Sequence, residues 1–177
     1  MSILARSEII KEIEAGRITV DPFDEAMIGP ASIDLHLGNA FRLFVRMPTD
    51  VEVSDELDYK KYTKGIWVQP GQRLKMEPGE TILGITREKI TLPSDICGWL
   101  EGRSRFARIG LLIHISASFM QPGISNHQVL EMSNFGHLDL EILPGTAVCQ
   151  FVFQRTQGSG SYHGIFAAQT PETFWKD

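Results

Sequence analysis

Only two of the 177 residues are cysteine, Cys97 and Cys149, too few for a disulfide framework and too isolated for a cysteine-rich zinc site. Both read as reduced, buried thiols. No stretch approaches the roughly 18 uninterrupted apolar residues of a membrane-spanning helix. Arg6, Glu8 and Lys11 also interrupt the apolar run that a secretory leader would need. The expectation is a cytoplasmic protein with no membrane partner. Positive charge is in short supply: 17 lysines and arginines against 22 acidic residues give a net charge of −5. A general nucleic-acid surface is therefore excluded, and any phosphate site has to be local. The Gly-Lys-Ser/Thr of a phosphate-binding loop and the nucleophile elbow of a serine hydrolase are missing as well.

What is present is 42% apolar residues, enough for one domain with its own core. Ser7 reads as the N-cap of a short helix over Glu8–Ala15, with Ile9, Ile10 and Ile13 on one stripe and Gly16 past the end. Ile33, Leu35 and Leu37 alternate with Asp34 and His36 up to Gly38, the pattern of a strand with a stop. His36 reads as an outward strand residue. Residues 48–64 are polar and acidic and read as a surface loop. Beyond them, short apolar runs separated by Pro70-Gly71, Pro78-Gly79, Pro122-Gly123 and Pro144-Gly145 give the rhythm of an antiparallel sandwich or barrel. The fold class expected is mostly β, in a domain over residues 1–156. Residues 157–177 open on Gly158-Ser159-Gly160-Ser161 and carry Tyr162, Phe166, Phe174 and Trp175, which reads as an arm that docks beyond a flexible joint.

Two stretches carry chemistry. Arg103, Arg105 and Arg108, bounded by Gly102 and Gly110 and accompanied by Ser104, can aim guanidinium forks and backbone N–H groups at one polyanion. In Gln128–Ser133, period-2 alternation places Leu130 and Met132 on one face and Val129, Glu131 and Ser133 on the other, so Glu131 is a carboxylate among strand formers. His114, between Ile113 and Ile115, reads as an ordinary strand residue.

The run Gly102-Arg103-Ser104-Arg105-Phe106-Ala107-Arg108-Ile109-Gly110-Leu111 resembles the arginine-serine signature of the dCTP deaminases, members of the trimeric dUTPase superfamily. The resemblance extends through Pro30–Gly38, Met120-Gln121-Pro122-Gly123, Val129-Leu130-Glu131, Cys149-Gln150, Tyr162-His163-Gly164 and Gln169, in the same order. It implies a distorted jelly roll or β-barrel, a homotrimer with sites between subunits, and deamination of dCTP to dUTP and ammonia. Zinc deaminases need a His-x-Glu and a Pro-Cys-x-x-Cys pattern, and this chain has neither, so the resemblance points to a route without a metal cofactor. Mg²⁺ would come only with the substrate triphosphate.

By the same resemblance Glu131 is the proton shuttle, Ser104 holds the water and Arg108 assists the carboxylate. The Ala117 region walls the cytosine, and Val129 and Gln121 count among the substrate-binding residues. Arg103, Ser104 and Arg105 take phosphates, with Gln150, Tyr162 and Gln169 closing from the far side and the arm. The chain also departs from the pattern. Arg105 stands where a second serine is usual, Phe119 and Ile165 replace basic residues of some members, and Gln121 replaces an aspartate. That aspartate contacts the deoxyribose and, in dUTPases, activates water; Gln121 can hydrogen-bond a hydroxyl but cannot act as a base. The expectation is an enzyme that stops at dUTP. The alternatives are a dUTPase or a bifunctional enzyme that forms dUMP, and a non-catalytic nucleotide-binding regulator.

Overall fold

In the computed structural model, which describes residues 2–47 and 50–177, the regular structure is mostly antiparallel strand. Met1, first residue of the expected β domain, and Pro48 and Thr49, at the start of the expected acidic loop, lie outside the described residues. The helix α1 spans Arg6–Glu14 and buries Ile9, with Ile10 and Ile13 packed on the core. It starts before the expected Ser7 cap. Ala5 is the N-cap and makes no side-chain bond, while the Arg6 backbone N–H donates to the Pro30 carbonyl at 2.7 Å and its guanidinium to that of Ile28. These ties draw Arg6 into the first turn.

The strands are β1 (Thr19–Asp21), β2 (Ile33–Phe44), β3 (Thr63–Trp67), β4 (Leu74–Met76), β5 (Thr81–Thr91), β6 (Ile96–Gly102), β7 (Leu111–Ile113), β8 (Phe119–Met120), β9 (Ser125–Asn134), β10 (Leu140–Ile142) and β11 (Ala147–Arg155). A four-residue helix, α2 (Ser104–Ala107), follows β6, and α3 (Pro171–Trp175) ends the fold. One nine-stranded sheet runs β7-β9-β5-β2-β11-β6-β8, with β1 added on β5 and β3 on β2; β4 and β10 form a separate pair. The large sheet curls around a core that includes Ile33, Leu35, Leu37 and Phe41 of β2, Leu130 and Met132 of β9, and Phe151 and Phe153 of β11. The two β11 rings lie 4.6 Å apart between centroids, and truncating either to alanine costs about 3–5 kcal/mol on the general scale for buried phenylalanine.

Gly38 does not stop its strand. β2 continues to Phe44, and its register against β5 shifts between Leu37 and Phe41, a bulge that absorbs the irregularity. Inward residues keep their parity across it, so that Leu37 and Phe41 both face the core while Ala40 and Arg42 face outward. The runs around Ile85 and Ile90 are likewise one strand, β5, with a second shift between Ile85 and Lys89. The stretch from residue 50 to 58 carries no strand or helix, but Thr63 and Lys64 already belong to β3.

The outward face of β2 and β5 is not bare. Ala40, Leu83, Ile85 and Phe174 form a second buried cluster, with Tyr59, Val129 and Trp175 packed against it. The tail therefore lies against its own sheet, with Phe174 on α3 only 1% exposed.

Candidate active site

The alternation read from the sequence of β9 holds: Leu130 and Met132 are fully buried and Val129, Glu131 and Ser133 half-buried on the other face. Glu131 pairs across the sheet with Leu83 of β5, and on its other side its carbonyl accepts the His114 N–H at 2.7 Å. Its side chain is 30% exposed, open enough to meet a ligand. Beside it is a residue with no role in the reading of the sequence. His114 is buried, and its Nδ1 lies 3.6 Å from Glu131 Oε2. Among the described residues neither of these atoms has a hydrogen-bond partner.

The tautomer of His114 follows from its other nitrogen. Nε2 sits 2.8 Å from the Ala117 carbonyl oxygen, which can only accept, so Nε2 carries hydrogen and donates. In the neutral ring Nδ1 is then a lone pair facing a carboxylate. A proton on either group would give the pair a donor. His114 is not the strand residue expected of it: β7 ends at Ile113, and His114 has φ 58°. That left-handed conformation is uncommon for a side-chain-bearing residue, though histidine is among those that adopt it. The only sequence signal was a histidine after a short apolar run, too common to single it out.

The arginine stretch lies beside β7. Ser104, Arg105 and Arg108 are exposed on or just beyond α2, and no hydrogen bond or ion pair joins Ser104 or Arg108 to Glu131 among the described residues. Arg103 turns the other way, donating to the Ala147 carbonyl at 3.1 Å and pairing with Asp34 at 3.1 Å. Gln150 is a neighbour there, opposite Asp34 in register, with its Oε1 accepting from Ser32 at 2.8 Å. The far glycine of the stretch is required. Gly110 has φ 86°, and a Cβ on it would run into the Gly136 backbone. The Phe135 N–H donates to the Gly110 carbonyl at 2.8 Å, which fixes the arginine turn to the end of β9.

Ala117 and Gln121 are exposed on either side of the short strand β8, and Phe119 between them packs on Trp99 of β6 with ring centroids 5.7 Å apart. Val129 sits two residues before Glu131, against the second cluster. Gln169 is stitched to β9: its Nε2 donates to the His127 carbonyl at 2.9 Å and its carbonyl accepts from the His127 N–H at 3.3 Å. Tyr162 packs on the main core and donates its N–H to the Pro122 carbonyl at 3.0 Å; Ile165 is exposed. The structure thus groups Val129, Glu131, His114 and Ala117 at one place and Arg103 with Gln150 at another, while Ser104, Arg105 and Arg108 point to solvent.

Residues 3–156 match the family model described as dCTP deaminase-like. The chain belongs to that family. Among relatives of the dCTP deaminase-like family, the protein named "dCTP deaminase, dUMP-forming" of Kocuria rhizophila is 36% identical over 97% of this chain and 92% of its own length. The protein of the same name from Beutenbergia cavernae is 39% identical over the same shares. In fold, the chain is similar to the crystal structure of 2'-deoxycytidine 5'-triphosphate deaminase from Agrobacterium tumefaciens, with a TM-score of 0.67 and 18% identity over 88% of this chain and 48% of that one. Among the described residues no helix is long and apolar enough to cross a membrane.

Proposed function

We infer that the protein deaminates dCTP hydrolytically, with Glu131 as the group that moves the protons. The observation that carries this reading is the placement of Glu131: a half-open carboxylate on β9 beside the unpartnered Nδ1 of a buried histidine, in a chain of the dCTP deaminase-like family. Water adds through its oxygen to C4 of cytosine, the C4–N4 bond breaks, and the nitrogen leaves as ammonia. Such a sequence needs one group to take a proton from water and deliver protons to N3 and to the leaving nitrogen. Glu131 performs this transfer, and the lone pair of His114 Nδ1 keeps the proton-bearing carboxyl oriented. Ser104 positions the water and Arg108 supports the developing negative charge.

The triphosphate, taken up as its Mg²⁺ complex, falls to the arginine stretch. Ser104, Arg105 and Arg108 are exposed, and no hydrogen bond or ion pair ties Ser104 or Arg108 to Glu131 among the described residues; the active assembly is read as a homotrimer in which the stretch serves a site shared with another subunit. Ile109, Phe135 and Leu138 support this arrangement, being apolar and largely exposed around the same turn.

The end-point has two readings. Gln121 favours release of dUTP, because an amide cannot accept the proton of a water attacking the α-phosphate. The name "dUMP-forming" carried by the relatives favours a second, pyrophosphate-releasing step. We hold to dUTP. The purified protein with dCTP should release ammonia, and Glu131→Gln should not; absence of ammonia from wild type would move the reading to a non-catalytic binding protein.

A further inference from the structure

Arg42 is the largest fully buried side chain of the protein, and the chemistry above makes no use of it. A buried guanidinium is costly unless its donors are met, and here they are met jointly by the start of β3 and by the tail. Nε donates to Thr63 Oγ1 at 2.7 Å, one terminal nitrogen donates to the Phe174 carbonyl at 2.8 Å, and the other reaches the Thr63 carbonyl at 3.0 Å and Asp177 Oδ1 at 2.5 Å. The Tyr59 ring lies under the guanidinium at 5.8 Å. Lys60 Nζ adds a bond to the Lys176 carbonyl, and Trp175 packs on Trp67. Gly65 completes the seat, since any Cβ there would collide with the Trp175 carbonyl.

The position of this clamp gives it a meaning beyond stability. Strand register lines up Gly65 of β3, Arg42 of β2, Leu83 of β5 and Glu131 of β9 as successive cross-strand neighbours, so all four lie on one face of the sheet. Leu83 is common to both halves of the row: it packs in the cluster with Phe174 and stands opposite Glu131. Between the clamp and the barrel, the tail is stitched to the strand that carries Glu131, through Asn126 Nδ2 to the Phe166 carbonyl at 2.7 Å and through the Gln169–His127 bonds. Its other end is held where the Tyr162 N–H meets the Pro122 carbonyl.

We propose that Arg42 is a positioning residue for the deaminase reaction. By clamping α3 on the Glu131 face it turns residues 157–169 from a free arm into a loop held at both ends, with Tyr162 and Gln169 already in place when nucleotide arrives. The proposal rests on the deaminase reading. It is read as a KM effect, because an arm ordered in advance does not have to be ordered on binding.

The test uses the full-length protein as Phe174→Ala, Arg42→Met and the double variant, with ammonia release from Mg·dCTP and amide hydrogen exchange of residues 160–169 measured on each. Phe174→Ala removes the clamp from the tail side and leaves the guanidinium its Thr63 contacts, so it remains informative if Arg42→Met fails to fold. The expected result is faster exchange of the tail and a KM for dCTP raised roughly tenfold, the scale of ordering two further side chains on binding, with kcat within about twofold. The double variant should be no worse in KM than the worse single one, since both break one clamp. An unchanged KM in Phe174→Ala whose tail exchanges faster would overturn the proposal, as would additive KM effects. If wild type released no ammonia, the deaminase reading would fall; exchange, which needs no turnover, would still test the clamp, and an unchanged tail in Phe174→Ala would overturn it.

Discussion

His114 Nδ1 and Glu131 Oε2 stand 3.6 Å apart, each without a hydrogen-bond partner among the described residues, and the backbones of the same two residues are joined by a 2.7 Å bond. One proton would satisfy both side chains, and a reaction that must carry protons from water to base and leaving group has a use for such a pair. Glu131→Gln keeps shape and volume but cannot shuttle a proton, so ammonia release should fall by about 10²–10⁴ while nucleotide binding, followed by calorimetry, stays close to wild type. His114→Asn tolerates the left-handed backbone and should lower kcat by less than Glu131→Gln does, with a shifted pH–rate profile. An unshifted profile with undiminished kcat would assign the histidine to the turn alone.

The proposed trimer has a direct test in the exposed apolar area beside the arginine turn. Phe135 is 81% and Leu138 64% exposed, next to the arginine turn to which the Phe135 N–H is bonded. Light scattering at micromolar concentration should give the mass of three chains. Phe135→Glu, which puts a charge into the expected contact, should reduce both that mass and the activity. A fully active monomer would show that Ser104 and Arg108 reach Glu131 within one chain.

How much of this was legible beforehand differs from residue to residue. β9 was legible because alternation is a local property and its buried members, Leu130 and Met132, are apolar while Glu131 between them is not. Its extension to Ser125 and Asn134 was hidden by Asn126 and Asn134, which are polar yet buried, satisfied by bonds such as Asn134 Nδ2 to the Met76 carbonyl. Gly38 looked like a stop because a glycine after alternation usually ends a strand; here it is the flat place where β5 passes, with a Cβ on it coming within 3.0 Å of the Ile85 carbonyl. Arg42 could not be read at all. Its burial depends on Phe174 and Asp177, which meet it only after the chain has closed. His114 was misread for the complementary reason: a positive φ leaves no trace in a residue pattern.

The buried carboxylate of Glu12 gives a stability prediction with a sign. Burial pushes its pKa up, but hydrogen bonds from Arg17 at 2.7 Å and Arg155 at 2.6 Å outweigh that and hold it below the ordinary carboxylate range. A depressed folded-state value contributes stability above the unfolded pKa, about 4.3 for glutamate. That contribution is lost as pH falls through the folded value. Glu12→Gln should therefore cost about 1–2 kcal/mol at neutral pH, after allowing for the half-exposed arginines. The gap to wild type should narrow in urea melts as the pH falls below the ordinary glutamate range and through the lowered folded value, beneath which both side chains are neutral. A gap that persisted in acid would mean that shape, and not charge, ties α1 to β11.

The last prediction concerns where the reaction stops. Cleaving dUTP at the α-phosphate needs a base to take a proton from an in-line water, and the superfamily pattern gives that task to the aspartate whose place Gln121 holds. Gln121 is exposed beside the Pro122-Gly123 turn, where the tail passes: a Cβ on Gly123 would come within 2.7 Å of Ser161 Oγ. An amide there can hydrogen-bond a hydroxyl of the sugar but accepts no proton near neutrality, so pyrophosphate release should be slower than in an aspartate-bearing enzyme by about 10²–10⁴. Deamination should be untouched by this, because the proton carrier proposed for it is Glu131 on β9. With Mg·dCTP the protein should accumulate dUTP and ammonia in equal amounts, and Gln121→Asp should introduce dUMP and pyrophosphate without slowing ammonia release. If wild type instead formed dUMP as fast as ammonia, as the name of its relatives would have it, another group would have to supply the base, and the enzyme would be bifunctional despite Gln121.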